Sequence, residues 1–98
     1  MVAKKKNVTR VDVEGVSVEI DNSFTESWDG LMLAAEMQRL DKDSEASEGA
    51  KMATVIEYYT RSITNLDEVV AALGGGGVPA AKVFDTLGVA IQKASSKN

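Results

Sequence analysis

Residues 8–20 alternate between apolar and polar side chains, which is the pattern of a half-buried β-strand. The apolar residues occupy odd positions before Glu14-Gly15 and even positions after it. A single strand would lose its buried face at that change of phase, whereas a two-residue turn at Glu14-Gly15 keeps all the valines on one face. The pattern therefore predicts a β-hairpin. Its cross-strand pairs are Val13 with Val16, Val11 with Val18 and Arg10 with Glu19.

Further along the chain, apolar residues recur at the spacings of three and four that are typical of helices. The predicted helices span residues 24–40, 50–63, 65–73 and 79–94. An acidic loop at 41–49 and a glycine joint at 74–78 separate them, the joint beginning with a Schellman-type stop. In the second helix the apolar stripe consists of Met52, Val55, Ile56, Tyr59 and Ile63, with Tyr58 at its margin. In the last helix it consists of Val83, Phe84, Leu87, Ala90, Ile91 and Ala94.

The predicted fold is α+β, with an N-terminal β-hairpin packed on a mostly α-helical body of about four helices. With 98 residues, the chain is long enough for one compact domain, which we expect over residues 8–94. A disordered basic arm at 1–7 precedes it, and a frayed tail at 95–98 follows.

The segment 24–40 contains the only tryptophan and is apolar around most of its predicted circumference. One apolar stripe consists of Trp28, Met32 and Ala35, and the other of Leu33, Met37 and Leu40. One small core needs only one of these stripes. We expect the first to serve the internal core and the second, Leu33, Met37 and Leu40, to bind a partner.

The charge of the chain argues against a nucleic-acid partner. The net charge is −4, but the first ten residues hold four of the 11 basic side chains and no acidic one. The rest of the chain therefore carries 7 basic against 15 acidic residues, about −8, which repels a phosphate backbone. An apolar stretch of 18 residues is also missing, so we expect no membrane segment.

The side chains needed for common catalytic and metal sites are few. The chain has no cysteine and no histidine, which excludes disulfides, thiolate ligands and histidine bases. Asp41, Asp43 and Glu45 have the spacing of half a calcium loop, but Ala46 stands where its turn glycine belongs. The glycine run at 74–77 lacks the Gly-Lys-Ser/Thr ending of a phosphate loop. We expect no catalysis, no cofactor and no metal site.

Several segments, taken in order, carry a family resemblance. They are the hairpin around Val13-Glu14-Gly15-Val16, the entry Ser23-Phe24-Thr25-Glu26-Ser27-Trp28 into a Leu/Ala/Met helix, the acidic break at 41–45, a compact helical pair, and Gly77-Val78-Pro79-Ala80 before the last helix. Over most of residues 8–93 this order resembles the tail assembly chaperones of long-tailed, siphovirus-like bacteriophages. The joint Ser62-Ile63-Thr64-Asn65 departs from the family pattern, in which a Leu-Gly-acid stop is expected.

The resemblance implies a protein that binds the phage tape-measure protein and keeps it soluble while tail-tube subunits polymerise around it. It implies action in the cytoplasm of the infected or lysogenic bacterial host and absence from the mature virion. Such chaperones often have a longer, frameshifted form, which would add contacts to the tail-tube protein. The sequence leaves the oligomeric state open and is compatible with a homo-oligomer.

Two other functions remain open at this point. One is a structural phage tail or head-tail connector protein that stays in the particle. The other is a small regulatory or antitoxin-like binding module.

Overall fold

The computed structural model describes residues 7–95, so the predicted basic arm up to residue 6 and the tail residues 96–98 lie outside the described residues. The elements, in order, are β1 (Val8–Val13), β2 (Val16–Asp21), α1 (Asn22–Thr25), α2 (Trp28–Lys42), α3 (Glu48–Ser62), α4 (Leu66–Leu73) and α5 (Ala80–Ser95). The predicted α+β fold, a hairpin on a helical body, is confirmed. Asn7, assigned to the arm, belongs to the fold instead, because its carbonyl oxygen accepts a hydrogen bond from the backbone N–H of Asn22 at 2.7 Å.

The hairpin has the predicted register. Val13 pairs with Val16, Val11 with Val18 and Arg10 with Glu19. Glu14 and Gly15 both have positive φ, +52° and +88°, as a two-residue hairpin turn of type I′ requires. On the exposed face the Arg10 guanidinium lies 2.5 Å from a Glu19 carboxylate oxygen. The other face supplies half of the core.

That core lies between the hairpin, α4 and α5. Its buried members are Val11, Val13, Val18, Ile20, Ile63, Val69, Leu87 and Ala90. The apolar stripe predicted for the last helix is confirmed, since all six of its residues are buried or half-buried. Burying these aliphatic side chains is the main favourable term in the stability of so small a domain.

The glycine joint forms the predicted Schellman stop. The N–H of Gly75 donates to the carbonyl of Val70 at 2.9 Å, and the N–H of Gly74 donates to that of Ala71 at 3.2 Å. Gly74 has a φ of +133°, which only glycine adopts readily. Pro79 lies just before α5, and its carbonyl accepts from the N–H of Lys82 at 3.0 Å.

The predicted single helix over 24–40 is wrong, because the chain breaks between α1 and α2. The Ser27 hydroxyl accepts from the N–H of Gly30 at 3.0 Å and donates to the carbonyl of Phe24 at 2.6 Å. Ser27 thus caps α2 and ties it to α1. The helix then continues to Lys42 and α3 begins at Glu48, so the acidic loop covers only residues 43–47.

The buried side of α3 also differs from the prediction. Tyr58, placed at the margin, is buried, whereas Met52 and Ile56 are 43% and 49% exposed. The inward line of α3 instead runs through Lys51, Val55, Tyr58 and Ser62. Two of these residues, Lys51 and Ser62, are polar. The prediction counted apolar residues alone, so it placed the buried face of α3 at the wrong angle around the helix.

The α3–α4 joint is bound to the edge of β2. Ile63 forms an isolated antiparallel bridge with Ile20, and the Thr64 N–H donates to the carbonyl of Glu19 at 2.9 Å. The Asn65 side chain accepts from the N–H of Glu19 at 2.9 Å and donates to the carbonyl of Ser17 at 3.0 Å. The joint therefore supplies hydrogen-bond partners along the free edge of β2.

We predict that Gly30→Ala destabilises the fold although alanine favours helix. A Cβ at Gly30 would lie 2.9 Å from the Phe24 carbonyl carbon, so α1 and α2 would have to separate, at a cost on the order of 1–3 kcal/mol. Gly49→Ala is the matched control, because its Cβ would meet nothing nearer than the Ser47 hydroxyl at 4.0 Å. It should be neutral or stabilise by up to about 1 kcal/mol. Urea unfolding followed by circular dichroism measures both, and equal effects would contradict the tight approach at Gly30.

We further predict that Glu14→Asn stabilises the hairpin. Glu14 has a φ of +52°, a conformation that asparagine adopts at lower cost, and Asn-Gly is the favoured type I′ sequence. The expected gain in the free energy of unfolding is about 0.5–1 kcal/mol. Asp12→Asn, on the exposed face of β1, controls for the loss of one negative charge. The same urea titration would rule out the assigned turn if both variants shifted the midpoint equally.

Candidate partner-binding surface

The helices α2 and α3 form an antiparallel pair, and we call the end where α2 begins and α3 ends the base of this pair. A row of four aromatic rings joins this base to α5. Its centroid separations are 5.8 Å for Phe24–Tyr58, 6.0 Å for Tyr58–Tyr59 and 6.1 Å for Tyr59–Phe84. The Arg61 guanidinium lies 4.6 Å from the Phe24 ring centroid and 3.6 Å from an Asp29 carboxylate oxygen. These contacts connect α1, α3 and α5 and fix where α2 begins.

The two tyrosines of this row serve packing. Burial raises the pKa of both Tyr58 and Tyr59, and the neighbouring Tyr58 and Asp85 raise that of Tyr59 further. Their phenols therefore stay neutral at physiological pH. Because these pKa values are higher in the folded state, the stability they contribute is present below about pH 10 and is lost as the pH rises above it.

Beyond this base, α2 packs along α3 and contributes no residue to the core. Its inner side carries Gly30 and Leu40, which are buried, and Leu33 and Met37, which are half-buried. Leu40 is only 8% exposed to solvent. The three residues predicted to bind a partner, Leu33, Met37 and Leu40, thus face α3, and Leu40 is not accessible from solvent.

The opposite side of α2 presents an apolar stripe to solvent. It consists of Trp28, Leu31, Met32 and Ala35, at the helical positions i, i+3, i+4 and i+7, and we call it the outer stripe. Trp28 is 74% exposed, Leu31 57% and Met32 52%. The prediction that Trp28, Met32 and Ala35 serve the internal core is therefore wrong, because α3 covers the other side of the helix.

The outer stripe ends after two turns, and polar residues continue the same side of the helix. Gln38, Arg39 and Lys42 are all exposed. The Arg39 guanidinium forms two hydrogen bonds with the Glu36 carboxylate, at 2.7 and 3.0 Å. The exposed side of α2 is thus divided into an apolar half near the body and a basic half near the α2–α3 loop.

A second apolar surface is a groove of about 260 Å³ between α3, α4, the glycine joint and α5. We call it the α3–α5 groove. It is lined by Ile56, Tyr59, Thr60, Leu66, Val70, Gly76, Val78, Ala80, Val83, Phe84 and Leu87. Leu87, a core residue, lies on its floor, and Ile56 is its exposed large apolar residue.

The acidic side chains of the described residues are dispersed or paired. Within residues 7–95 no group of three acidic side chains is placed to hold a metal ion. Glu19 hydrogen-bonds to the Thr64 hydroxyl and forms an ion pair with Arg10. None of the helices in this part of the chain is long and apolar enough to cross a membrane.

Sequence reasoning missed Leu31 and Ile56 as accessible apolar residues. In the sequence analysis, Leu31 was placed between the two apolar stripes of the segment 24–40 and Ile56 was counted toward the core. The spacing of Trp28, Leu31, Met32 and Ala35 is visible in the sequence. The outer side of α2 differs from the inner side only in that α3 covers the inner one. The periodicity of apolar residues within α2 does not show on which side α3 lies.

No family model matches the chain, and no curated protein or solved structure is significantly similar to it.

Proposed function

We propose that the chain is a non-enzymatic tail assembly chaperone that binds apolar helical segments of a phage tape-measure protein. Binding occurs through the outer stripe, in the cytoplasm of the bacterial host. The order of the elements along the sequence suggests the client. The solvent-exposed stripe of Trp28, Leu31, Met32 and Ala35 is the observation that carries the proposal.

The shape and spacing of the outer stripe suit an amphipathic helix. Residues at i, i+3, i+4 and i+7 form a straight apolar band, and a second helix can lie along it with its own apolar residues in register. Trp28 offers a large rigid ring, of the kind that anchors many protein interfaces. Met32 is flexible and polarizable, so it adapts to different client side chains.

The location of the stripe separates binding from folding. Trp28, Leu31 and Met32 lie outside the core, so the fold does not need them to be covered. An exposed apolar band of this kind usually marks an interaction site. The net charge of −4 limits aggregation through that band. These properties are what a protein that keeps an apolar client in solution requires.

We predict that Leu31→Asp abolishes client solubilisation, while Gln38→Asp leaves it unchanged. Both residues are exposed on the same side of α2, two turns apart, and both substitutions add one negative charge. Only Leu31 lies within the outer stripe, where a carboxylate would have to be desolvated against the client. The measurement is the soluble fraction of the co-expressed tape-measure protein of the same phage. Circular dichroism should show native helix content for both variants.

Two further variants locate the client surface. Leu33→Asp, on the inner side of α2, should reduce stability by at least about 2 kcal/mol, because it places a charge against α3. Ile56→Asp tests the α3–α5 groove and should leave solubilisation intact. Loss of solubilisation with Ile56→Asp but not with Leu31→Asp would contradict the assignment to the outer stripe.

The chaperone and particle-component functions differ in where the protein ends up. A chaperone is released, so mass spectrometry of purified virions should find the tail-tube and tape-measure proteins without this chain. Sequencing downstream of the gene should reveal a very long helix-rich reading frame. Stoichiometric recovery of this chain from intact virions would identify a structural tail or connector protein instead.

A further inference from the structure

The α2–α3 pair is packed much less tightly than the core. No residue of α2 belongs to the core cluster, and α2 makes its main contacts with α1 and α3. In α2 only Gly30, near its start, and Leu40, near its end, are buried. In α3 the buried residues lie only in the last two turns. We call residues 31–57 the distal segment, and Leu40 is the one buried residue in it.

Polar contacts do little to hold the two helices together. Within residues 7–95 no hydrogen bond joins α2 to α3, and the one ion pair between them joins Asp29 to Arg61 at 3.6 Å. Both of these side chains are exposed, so their attraction is weakened by water. The other ion pairs of this region, such as Glu36 with Arg39, each lie within one helix or its cap. They support each helix but not the contact between the two.

The body holds only the base of the pair. The end of α3 is fixed by the ring contacts of Tyr58 and Tyr59, and the joint that follows it is bonded to β2. The distal segment extends away from these contacts and turns back at the polar loop 43–47. Each of its two helices belongs to an element of 15 residues, a length that is marginal for an isolated helix in water. Neither helix is therefore stable there without the other.

We propose that the distal segment opens as one cooperative unit, while the hairpin, α4, α5 and the base of the pair stay folded. Opening uncovers the buried Leu40 and a few half-buried side chains, whereas unfolding the body uncovers the eight buried residues of the core cluster. The free energy of each process follows the apolar area that it exposes. Opening of the distal segment is therefore populated far more often than global unfolding.

The open form changes the apolar surface that α2 offers. In the closed form α3 covers the inner side of α2, and only the outer stripe faces solvent. In the open form the inner residues Leu33, Met37 and Leu40 are exposed as well. If the proposed function holds, a client meets both sides of the helix in this form. The opening itself needs no client and is tested without one, so its failure and that of the proposed function are distinguishable.

Native-state amide hydrogen exchange, followed by NMR, measures the opening directly. Amides 33–42 and 52–57 should exchange at least about tenfold faster than amides 86–92 of α5, after correction for intrinsic rates. Their exchange should also depend less on added urea, because opening exposes less surface than global unfolding does. Equal protection and equal urea dependence in the distal segment and in α5 would overturn the proposal.

A substitution in the core separates opening from global unfolding. Val69 is fully buried in α4, so Val69→Ala should accelerate exchange of the α5 amides at least about fivefold. The body stays folded in the open form, so the substitution affects the closed and open forms equally and the distal amides should keep their rates. Val89→Ala is the matched control, since the same change at a 41% exposed position should shift neither set by more than about twofold.

A substitution at the contact between the helices should give a different pattern. Leu40→Ala should accelerate exchange of both sets of amides, because it weakens the closed form relative to the open form and the unfolded chain alike. Unchanged distal rates in Leu40→Ala, or equal acceleration of both sets in Val69→Ala, would show that the distal segment does not open by itself. If Val69→Ala fails to fold, Ile20→Val makes the same comparison, because it removes a single methyl group from another buried core residue.

Discussion

A two-stranded sheet has two open edges, and the way this protein closes them determines the rest of its structure. Peptide groups at an unpaired edge that is partly buried need other partners. The α3–α4 joint supplies them at β2, through the Ile63 bridge, the Thr64 amide and both ends of the Asn65 amide side chain. On β1, the Lys93 ammonium donates to the carbonyl of Asp12 at 2.9 Å. The joint that follows α3 must lie along the edge of β2 to make these hydrogen bonds. The sheet therefore fixes where α3 ends and in which direction it runs, and α2 takes its position by packing on α3.

This constraint explains why so much apolar surface remains on α2. The hairpin face is covered by α4, α5 and Ile63 of the α3–α4 joint. The α2–α3 pair therefore extends from the body and is held at its base by the ring contacts of Phe24 and Tyr58. Only one side of α2 is covered in this arrangement, and the side left open carries the outer stripe.

Local patterns in the sequence predicted the hairpin, α4 and α5 because each of these elements has one apolar face and a clear boundary. The change of phase at Glu14-Gly15 determines the strand register, and the glycines after Leu73 determine where α4 ends. The prediction failed where two faces competed. On α2 both sides are apolar, so the choice between them depended on α3, and α3 was itself rotated in the prediction because Lys51 and Ser62 lie on its buried line. The prediction thus placed a solvent-exposed apolar stripe on α2, but the stripe lies on the opposite side of that helix from the one predicted.

The contact between α5 and β1 has a consequence for synthesis on the ribosome. Lys93 and Asp12 are 81 positions apart, yet the helix and strand that contain them lie side by side in the finished core. The valine face of the hairpin therefore has no permanent cover until α5 has emerged from the exit tunnel. The α2–α3 pair, whose contacts are local, can form well before that moment. Nascent chains thus display the apolar side of α2 while their own interior is still open.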